Sequence, residues 1–233
     1  MRDRVGRLAR RMGYEVRQYT PLRSLRAARE RLLDGVDVVV DVGANAGQYG
    51  TMLREEGFAG RLVSLEPVAE AFAELTGLAS ADGAWEAVCV AASDVDGEIT
   101  LNVTGDSRSS SVLSRNERFA DKAGWAPKDS RRIAARRLDG LLDGLLHPRE
   151  RAFLKLDVQG YERQVLDGAG AALGRFEALE VELSVTPLYE GQTGLVDMLP
   201  LLAEHGFRPV SLEPILLDDD GLLMELDGLF ARA

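Results

Sequence analysis

Two short runs place charged residues where an apolar strand is expected. In "FLKLDVQGYE" (153–162) Lys155 and Asp157 punctuate the apolar residues, and in "LEVELS" (179–184) Glu180 and Glu182 do the same. Residues two apart on a strand share a face, so Lys155 stands with Asp157 and Glu180 with Glu182. A lysine is seldom buried without a partner, so its ammonium pairs with Asp157, Glu180 or Glu182. The set reads either as a structural ion pair or as acid–base machinery. Asp157 and Glu182 would face each other across a cleft, as a base or as oxygen ligands for a Mg²⁺ ion. Lys155, Asp157 and Glu182 are therefore the catalytic candidates, with Asp157 and Glu182 as the metal candidates.

A second stretch, "VVVDVGANAGQYG" (38–50), is suited to holding a small ligand. An apolar run reaches Asp41, then turns through Gly43, Asn45 and Gly47. In a G-x-G-x-x-G turn the middle glycine lets a pyrophosphate approach the backbone. Asn45 stands in that place. Asn tolerates a left-handed backbone, so the sharp turn survives without a pyrophosphate seat. A strand ending in a carboxylate under such a turn suits a ligand with a cationic amine and no diphosphate. S-adenosylmethionine fits, with Asp41 near its ammonium and the helix N-terminus near its carboxylate. Gly43 and Gly47 would keep the backbone close to it. Glu66, 25 residues after Asp41, ends the next strand and can accept both ribose hydroxyls; a 2′-phosphate would be repelled there. Ser93 would lie beside the adenine edge. Tyr49, Pro67 and Asp157 complete the cofactor set.

The elements that must position these residues alternate as strand and helix, the pattern of a doubly wound sheet. Strands are expected over 36–42, 61–67 and 85–93, with helices after Gly47 and from Pro67 through Leu75. An extra strand (96–103) precedes a polar stretch, about 104–130, where a substrate loop is expected. Ser109, Ser110 and Ser111 could touch substrate hydroxyls there, with Gln159 and Tyr161 beside them. Trp125, Tyr161 and Tyr189 could stack on a sugar ring or serve only in packing. A strand over 151–160, a helix from Tyr161 to Gly174 and a strand over 176–184 follow. A helix through Pro200 leads to two strands around the Asp218–Gly221 turn, an antiparallel hairpin at a sheet edge. The single cysteine, Cys89, lies in apolar "AVCVAAS" and reads as a buried hydrophobe. His147 and His205 are weak candidates for a base, and no His/Cys cluster suggests zinc.

The net charge of −10 argues against nucleic acid as a partner. That charge is uneven: residues 1–31 carry +7 and the remainder −17. The division expected is a basic helical arm over 1–34 and an acidic domain over 35–233. The arm could touch a membrane surface, or simply pack Val5, Leu8 and Met12 on the domain. No apolar run approaches the roughly 18 residues of a span, and the N-terminus lacks an apolar signal core, so a cytoplasmic protein is expected.

Taken in order, "DVGANAGQYG", "LVSLEP", "AASDVDGEITLNV", "SSSVL", "FLKLDVQGYERQVLDGA" and "LEVELS" resemble the FkbM-type S-adenosylmethionine-dependent methyltransferases over about residues 20–230. The resemblance implies a class I methyltransferase fold, a Rossmann-like doubly wound sheet of about seven strands with the last antiparallel. It also implies an O-methyltransferase for hydroxyls of sugars, glycolipids or polyketide-type natural products. The family pattern is Lys-x-Asp-x-Glu-Gly-x-Glu. Lys155, Asp157, Gly160 and Glu162 match it, whereas Gln159 replaces a Glu, keeping shape and an acceptor but losing the charge. The alternatives are a catalytically degenerate S-adenosylmethionine-binding protein, a nucleotide-linked dehydrogenase, which the missing glycine disfavours, and an RNA 2′-O-methyltransferase, which the acidic body disfavours.

Overall fold

The structure, a computed structural model, describes residues 24–105, 109–119 and 127–232. Val5, Leu8, Met12 and Trp125 lie outside them. Ser24 starts the first described helix, α1 (Leu25–Leu32), by accepting the Ala27 amide on its hydroxyl. Next come β1 (Val38–Val42), α2 (Gln48–Glu55), β2 (Arg61–Leu65), α3 (Ala69–Ala81) and β3 (Trp85–Val88). β4 (Ala91–Ser93), β5 (Gly97–Thr104) and β6 (Pro127–Arg137) form a small second sheet in the order β4-β6-β5. The chain continues through α4 (Leu138–Leu145), β7 (Ala152–Leu156), α5 (Glu162–Ala169), β8 (Phe176–Ser184) and α6 (Leu195–Glu204) to the hairpin β9 (Phe207–Leu217) and β10 (Leu223–Arg232).

The main sheet has seven strands in the order β3-β2-β1-β7-β8-β10-β9. β1 pairs in parallel with β2 and β7, and β7 with β8, while β10 runs antiparallel to both β8 and β9. The last strand is thus the antiparallel one. The order reverses between β1 and β7, which in an open α/β sheet is where a ligand crevice opens beyond the strand ends. The central strands are apolar runs because helices cover both faces. Val38, Val40, Leu154, Leu156, Leu179 and Val181 pack on one side with α4 and α5. Val39, Phe153, Ala178 and Leu229 pack on the other with Leu25 of α1 and Leu53 of α2.

Several sequence expectations change, and the strand expected over 151–160 ends at Leu156. The strand expected over 85–93 is two strands. It breaks at Cys89–Val90 because Ala91–Ser93 leave the main sheet to pair with Ala135–Arg137. Cys89 sits at that bend and is exposed, not buried. The helix after Tyr161 ends at Ala169, where Gly170 takes φ +47° and a 3₁₀ segment follows. The helix after Pro67 begins two residues later, at Ala69, and runs on to Ala81.

One glycine contact joins α5 to the small sheet. A Cβ added to Gly168 of α5 would fall 1.8 Å from the Ser93 carbonyl oxygen, so α5 meets the β4 backbone directly. Gly140 of α4 faces open space, with nothing within 4 Å. Gly168→Ala should destabilise the protein by about 1–3 kcal/mol through overpacking. Gly140→Ala should stabilise it by about 0.5–1 kcal/mol. Chemical denaturation of both variants against the wild type checks the pair.

Candidate active site

The turn after β1 is fixed by backbone bonds. Gly43 and Ala44 both donate to the Leu65 carbonyl, at 3.0 and 3.1 Å, which ties the turn to the end of β2. Asn45 has φ +49°, the left-handed conformation its residue type tolerates. Glu66 then spans two elements: one carboxylate oxygen accepts the Asn45 amide at 2.8 Å, the other the Val68 amide at 2.7 Å. Gly43, at φ +83°, lies against the segment that leaves β7. A Cβ there would come within 1.9 Å of the Asp157 carbonyl oxygen. Only glycine lets the two loops cross this closely.

Strand register produces the charged row. Asp41 of β1 lies opposite Lys155 of β7, Lys155 opposite Glu180 of β8, and Glu182 opposite Asp227 of β10. These residues continue the face that carries Val39, Phe153, Ala178 and Leu229. The face is apolar toward the N-terminal ends of the parallel strands and charged toward their C-terminal ends. Lys155 is 5% exposed, with Nζ 3.2 Å from Asp157 Oδ2 and 5.5 Å from the centre of the Tyr49 ring. Burial opposes its charge, but Asp157, Glu180, Asp227 and Asp41 outweigh burial and raise its pKa above that of a free lysine. Glu180, 1% exposed, is taken by α1: Arg29 donates Nε and Nη2 to it, both at 2.7 Å, and the Tyr49 hydroxyl donates at 2.8 Å.

Beyond β7 the chain turns through Gln159 (φ +54°) and Gly160 (φ +96°). The buried Glu162 carboxylate holds this turn by accepting the Val158 and Gly160 amides, at 3.0 and 3.2 Å. Gln159 Nε2 then donates to Asp157 Oδ1 at 3.0 Å and to Glu182 Oε2 at 2.8 Å. The two carboxylates have different environments. Burial opposes ionisation of Asp157, yet Lys155 and the Gln159 amide hold its carboxyl below the usual range. Burial, then the adjacent Asp157 and Glu225 charges, pushes Glu182 well up. Two carboxyls driven apart in this way can divide the work, one staying ionised and the other exchanging a proton. A cavity of about 730 Å³ runs from Asp41, Asn45 and Glu66 to Asp157, Glu182 and Glu225. That is ample for a cofactor-sized molecule.

A family model described as "Methyltransferase FkbM domain" matches residues 41–209. The chain belongs to the FkbM methyltransferase family. Among solved structures, the methyltransferase FkbM from Methylobacillus flagellatus KT is similar at 16% identity and a TM-score of 0.51, over 83% of this chain and 44% of that one. The chain thus spans less than half the length of that relative. SMU.1697c from Streptococcus mutans, solved in complex with S-adenosylhomocysteine, is 10% identical with a TM-score of 0.50, over 93% of this chain and all of that one. At these identities the likeness shows the fold, that of the class I methyltransferases. None of the curated proteins compared matches the chain.

Within this FkbM domain, most residues singled out in the sequence line the cavity: Asp41, Gly43, Asn45, Tyr49, Glu66 and Pro67 at one end. Lys155, Asp157, Gln159, Tyr161, Glu182, Ser109 and Ser110 line it toward the other. Three of the cofactor and substrate candidates stand elsewhere. Gly47, at φ +86°, faces Leu75, Leu78 and Trp85, so it lets α2 pack on α3 and β3. Ser93 is buried and bonds the Tyr161 hydroxyl at 3.1 Å. Ser111 is turned inward and donates to the Gln159 carbonyl at 2.6 Å. Val90, Ala91 and Ala92 line the wall expected for Ser93. His147 is bound up with Glu150 and Arg61, away from the cavity. Among the described residues no group of three His, Cys, Asp or Glu side chains is placed to hold a metal ion. The Gln159 amide nitrogen bridges Asp157 and Glu182, where a shared cation would need oxygen donors.

Sequence reasoning missed Arg29, Arg115, Glu225 and Asp227, all of which line the cavity. The alternation "MELDG" carried a signal for the last two, since Glu225 and Asp227 share a face. Arg29 carried none, because its partner Glu180 is 151 residues away.

Two outcomes follow for the FkbM domain. Arg29→Met would leave Glu180 buried without its ionic partner and should cost about 3–5 kcal/mol in denaturant unfolding. The second concerns pH. Burial raises Asp41, Glu162 and Glu225 to about 7 and Asp227 to about 6. Between pH 4.5 and 7 the folded ligand-free protein therefore binds more protons at these sites than the unfolded chain does. Stability falls as pH rises through that window. The Tm of the ligand-free protein should be higher at pH 5.5 than at pH 8, by several degrees in a thermal-shift series.

Proposed function

We propose that this methyltransferase uses S-adenosylmethionine to methylate a hydroxyl of a sugar, a glycan or glycolipid, or a polyketide-type natural product, with residues 35–233 as the methyltransferase domain. The observation that carries the reading is the single cavity joining the Glu66-braced turn to the Asp157–Gln159–Glu182 cluster. The residues present fit the cofactor. Glu66 keeps acceptor capacity for vicinal hydroxyls, Asp41 offers a carboxylate near an ammonium, and Val90, Ala91 and Ala92 offer an apolar wall for a flat base. When bound, S-adenosylmethionine supplies an electrophilic methyl group on a sulfonium leaving group.

The chain's own residues then have to orient the acceptor hydroxyl and take its proton. Glu182 is the proposed base, since its raised pKa makes its carboxylate a better proton acceptor than Asp157. Asp157 stays ionised beside Lys155 and holds the hydroxyl or the ammonium in place. Lys155 keeps that charge compensated and helps hold the negative charge developing on oxygen. The Gln159 amide donates to both carboxylates, which also lie within hydrogen-bonding reach of each other, so a proton taken by Glu182 can be shared with Asp157. Ser109, Ser110 and Tyr161 are proposed acceptor contacts.

Calorimetric titration with S-adenosylmethionine tests the reading. The wild type should bind at micromolar concentration. Glu66→Ala and Asp41→Asn, shown to be folded by circular dichroism, should each weaken binding by ~10-fold or more, the scale of losing a hydrogen bond to a charged group. NAD should not bind. A folded wild type that ignores S-adenosylmethionine would remove the proposal.

A further inference from the structure

Tyr189 stands at the meeting point of three segments that are far apart in sequence. Its ring lies against the Arg115 guanidinium, 4.5 Å from the ring centre, and Arg115 Nη2 donates to the Tyr189 hydroxyl at 2.9 Å. The hydroxyl donates in turn to Gln159 Oε1 at 3.0 Å. The backbone joins the same segments: Arg115 and Tyr189 form an isolated antiparallel bridge, Asn116 donates to Leu188, and Glu190 donates to Ser114. Gln192 fixes the turn from below by accepting the Leu188 and Tyr189 amides on its side-chain oxygen. A Cβ on Gly160 would press on the Tyr189 ring at 2.8 Å, so the turn after β7 is closed against the tyrosine.

The order of donors gives this chain a direction. A phenol has one proton to donate. Arginine is always a donor, so it can meet only the phenol oxygen and leaves that proton for Gln159 Oε1 at 3.0 Å, with the Ser109 carbonyl as a longer second acceptor at 3.4 Å. An amide whose oxygen is taken by Tyr189 must present its NH₂ to the opposite side, where Asp157 and Glu182 lie. The reversed amide would aim its oxygen at two carboxylates.

Resting on the reading of Glu182 as the base, we propose that Tyr189 is a positioning residue. Held by Arg115, it locks the Gln159 amide so that both of its N–H groups serve the carboxylate pair, and it thereby couples the 109–119 segment to the acid–base centre. Tyr189 need not touch the acceptor for this. Its role as a sugar platform is not required, since its ring face is occupied by Arg115.

The test is a ¹³C-carboxyl NMR titration of Glu182 in the full chain, with the Gln159 side-chain amide followed by ¹⁵N NMR. The groups that face Glu182 are Lys155 and Asp157 from β7 and its turn, Glu162 from α5, Glu225 and Asp227 from β10, and the Tyr189 phenol; all but the phenol are unchanged in the variants used. Tyr189→Phe keeps the ring and removes only the hydroxyl. It should raise the Glu182 midpoint by ~0.5–1 pH unit, because a bond to the ionised form is weakened. Hydrogen exchange of the Gln159 amide should quicken by ~10-fold, about the loss of one such bond. Gln159→Leu should raise the midpoint further. Purely structural packing by Tyr189 would lower the Tm without moving Glu182. A Tyr189→Phe midpoint equal to wild type, with Gln159→Leu shifted, would overturn the coupling. Binding of S-adenosylhomocysteine to the same samples separates the two ideas: no binding to wild type counts against the proposed function, while the NMR comparison still decides the role of Tyr189.

Discussion

The fold has to keep Lys155 charged inside its central strand, and much of the site follows from how it does so. An ammonium removed from water is tolerated only where counter-charges and hydrogen bonds replace the solvent. Here they come from neighbouring elements on both sides: Asp41 on β1, Asp157 at the end of β7, Glu180 on β8 and Asp227 on β10. Those acids repel one another and need support of their own. Glu180 obtains it from Arg29 and Tyr49, and Asp157 and Glu182 share the Gln159 amide. The helix α1, which precedes the segment matched by the family model, is thereby bound into the floor of the cavity.

Such a compensated network suits a methyl-transfer site. In the proposed reaction a neutral hydroxyl meets a cationic sulfonium, and a proton must leave as the new bond forms. A centre with a buried cation, one carboxylate of lowered pKa and a second of raised pKa can absorb that proton without a large change of net charge. Glu66 and the turn bearing Asn45 lie toward the other end of the cavity, where burial and then the Asp157 charge still raise the Glu66 carboxyl. They are braced by backbone amides, which carry no charge that could shift with the state of the acid pair.

What could be read in the sequence follows the range of the physical signal. β1, β7 and β8 were legible because a buried parallel strand shows as an apolar run. The hairpin of β9 and β10 was legible because Asp218–Gly221 is a strong turn: the Asp218 carboxylate accepts the Asp220 and Leu222 amides. The shared face of Lys155 with Asp157, and of Glu180 with Glu182, followed from strand parity. Parity could not say that Glu180 belongs to Arg29, since that pairing depends on where α1 docks. The break at Cys89–Val90 was equally invisible, because the residues on both sides are apolar and only the competition between two sheets separates them. Gly47 and Gly43 look alike in sequence. One meets side chains of α3 and β3, the other the Asp157 backbone, and only tertiary packing distinguishes them.

The position of β10 has a consequence for how the site is assembled. Within the main sheet β9 pairs with β10, and β10 with β8, so the strand made later is the wedge between two strands made earlier. A growing chain can form the β1–α2–β2 turn from local contacts while β9 still has no neighbour to join. Glu225 and Asp227 travel on the wedge. The wall that they contribute to the cavity therefore closes last, and a nascent chain would present the turn and Lys155 before two of the acids that surround it were in place.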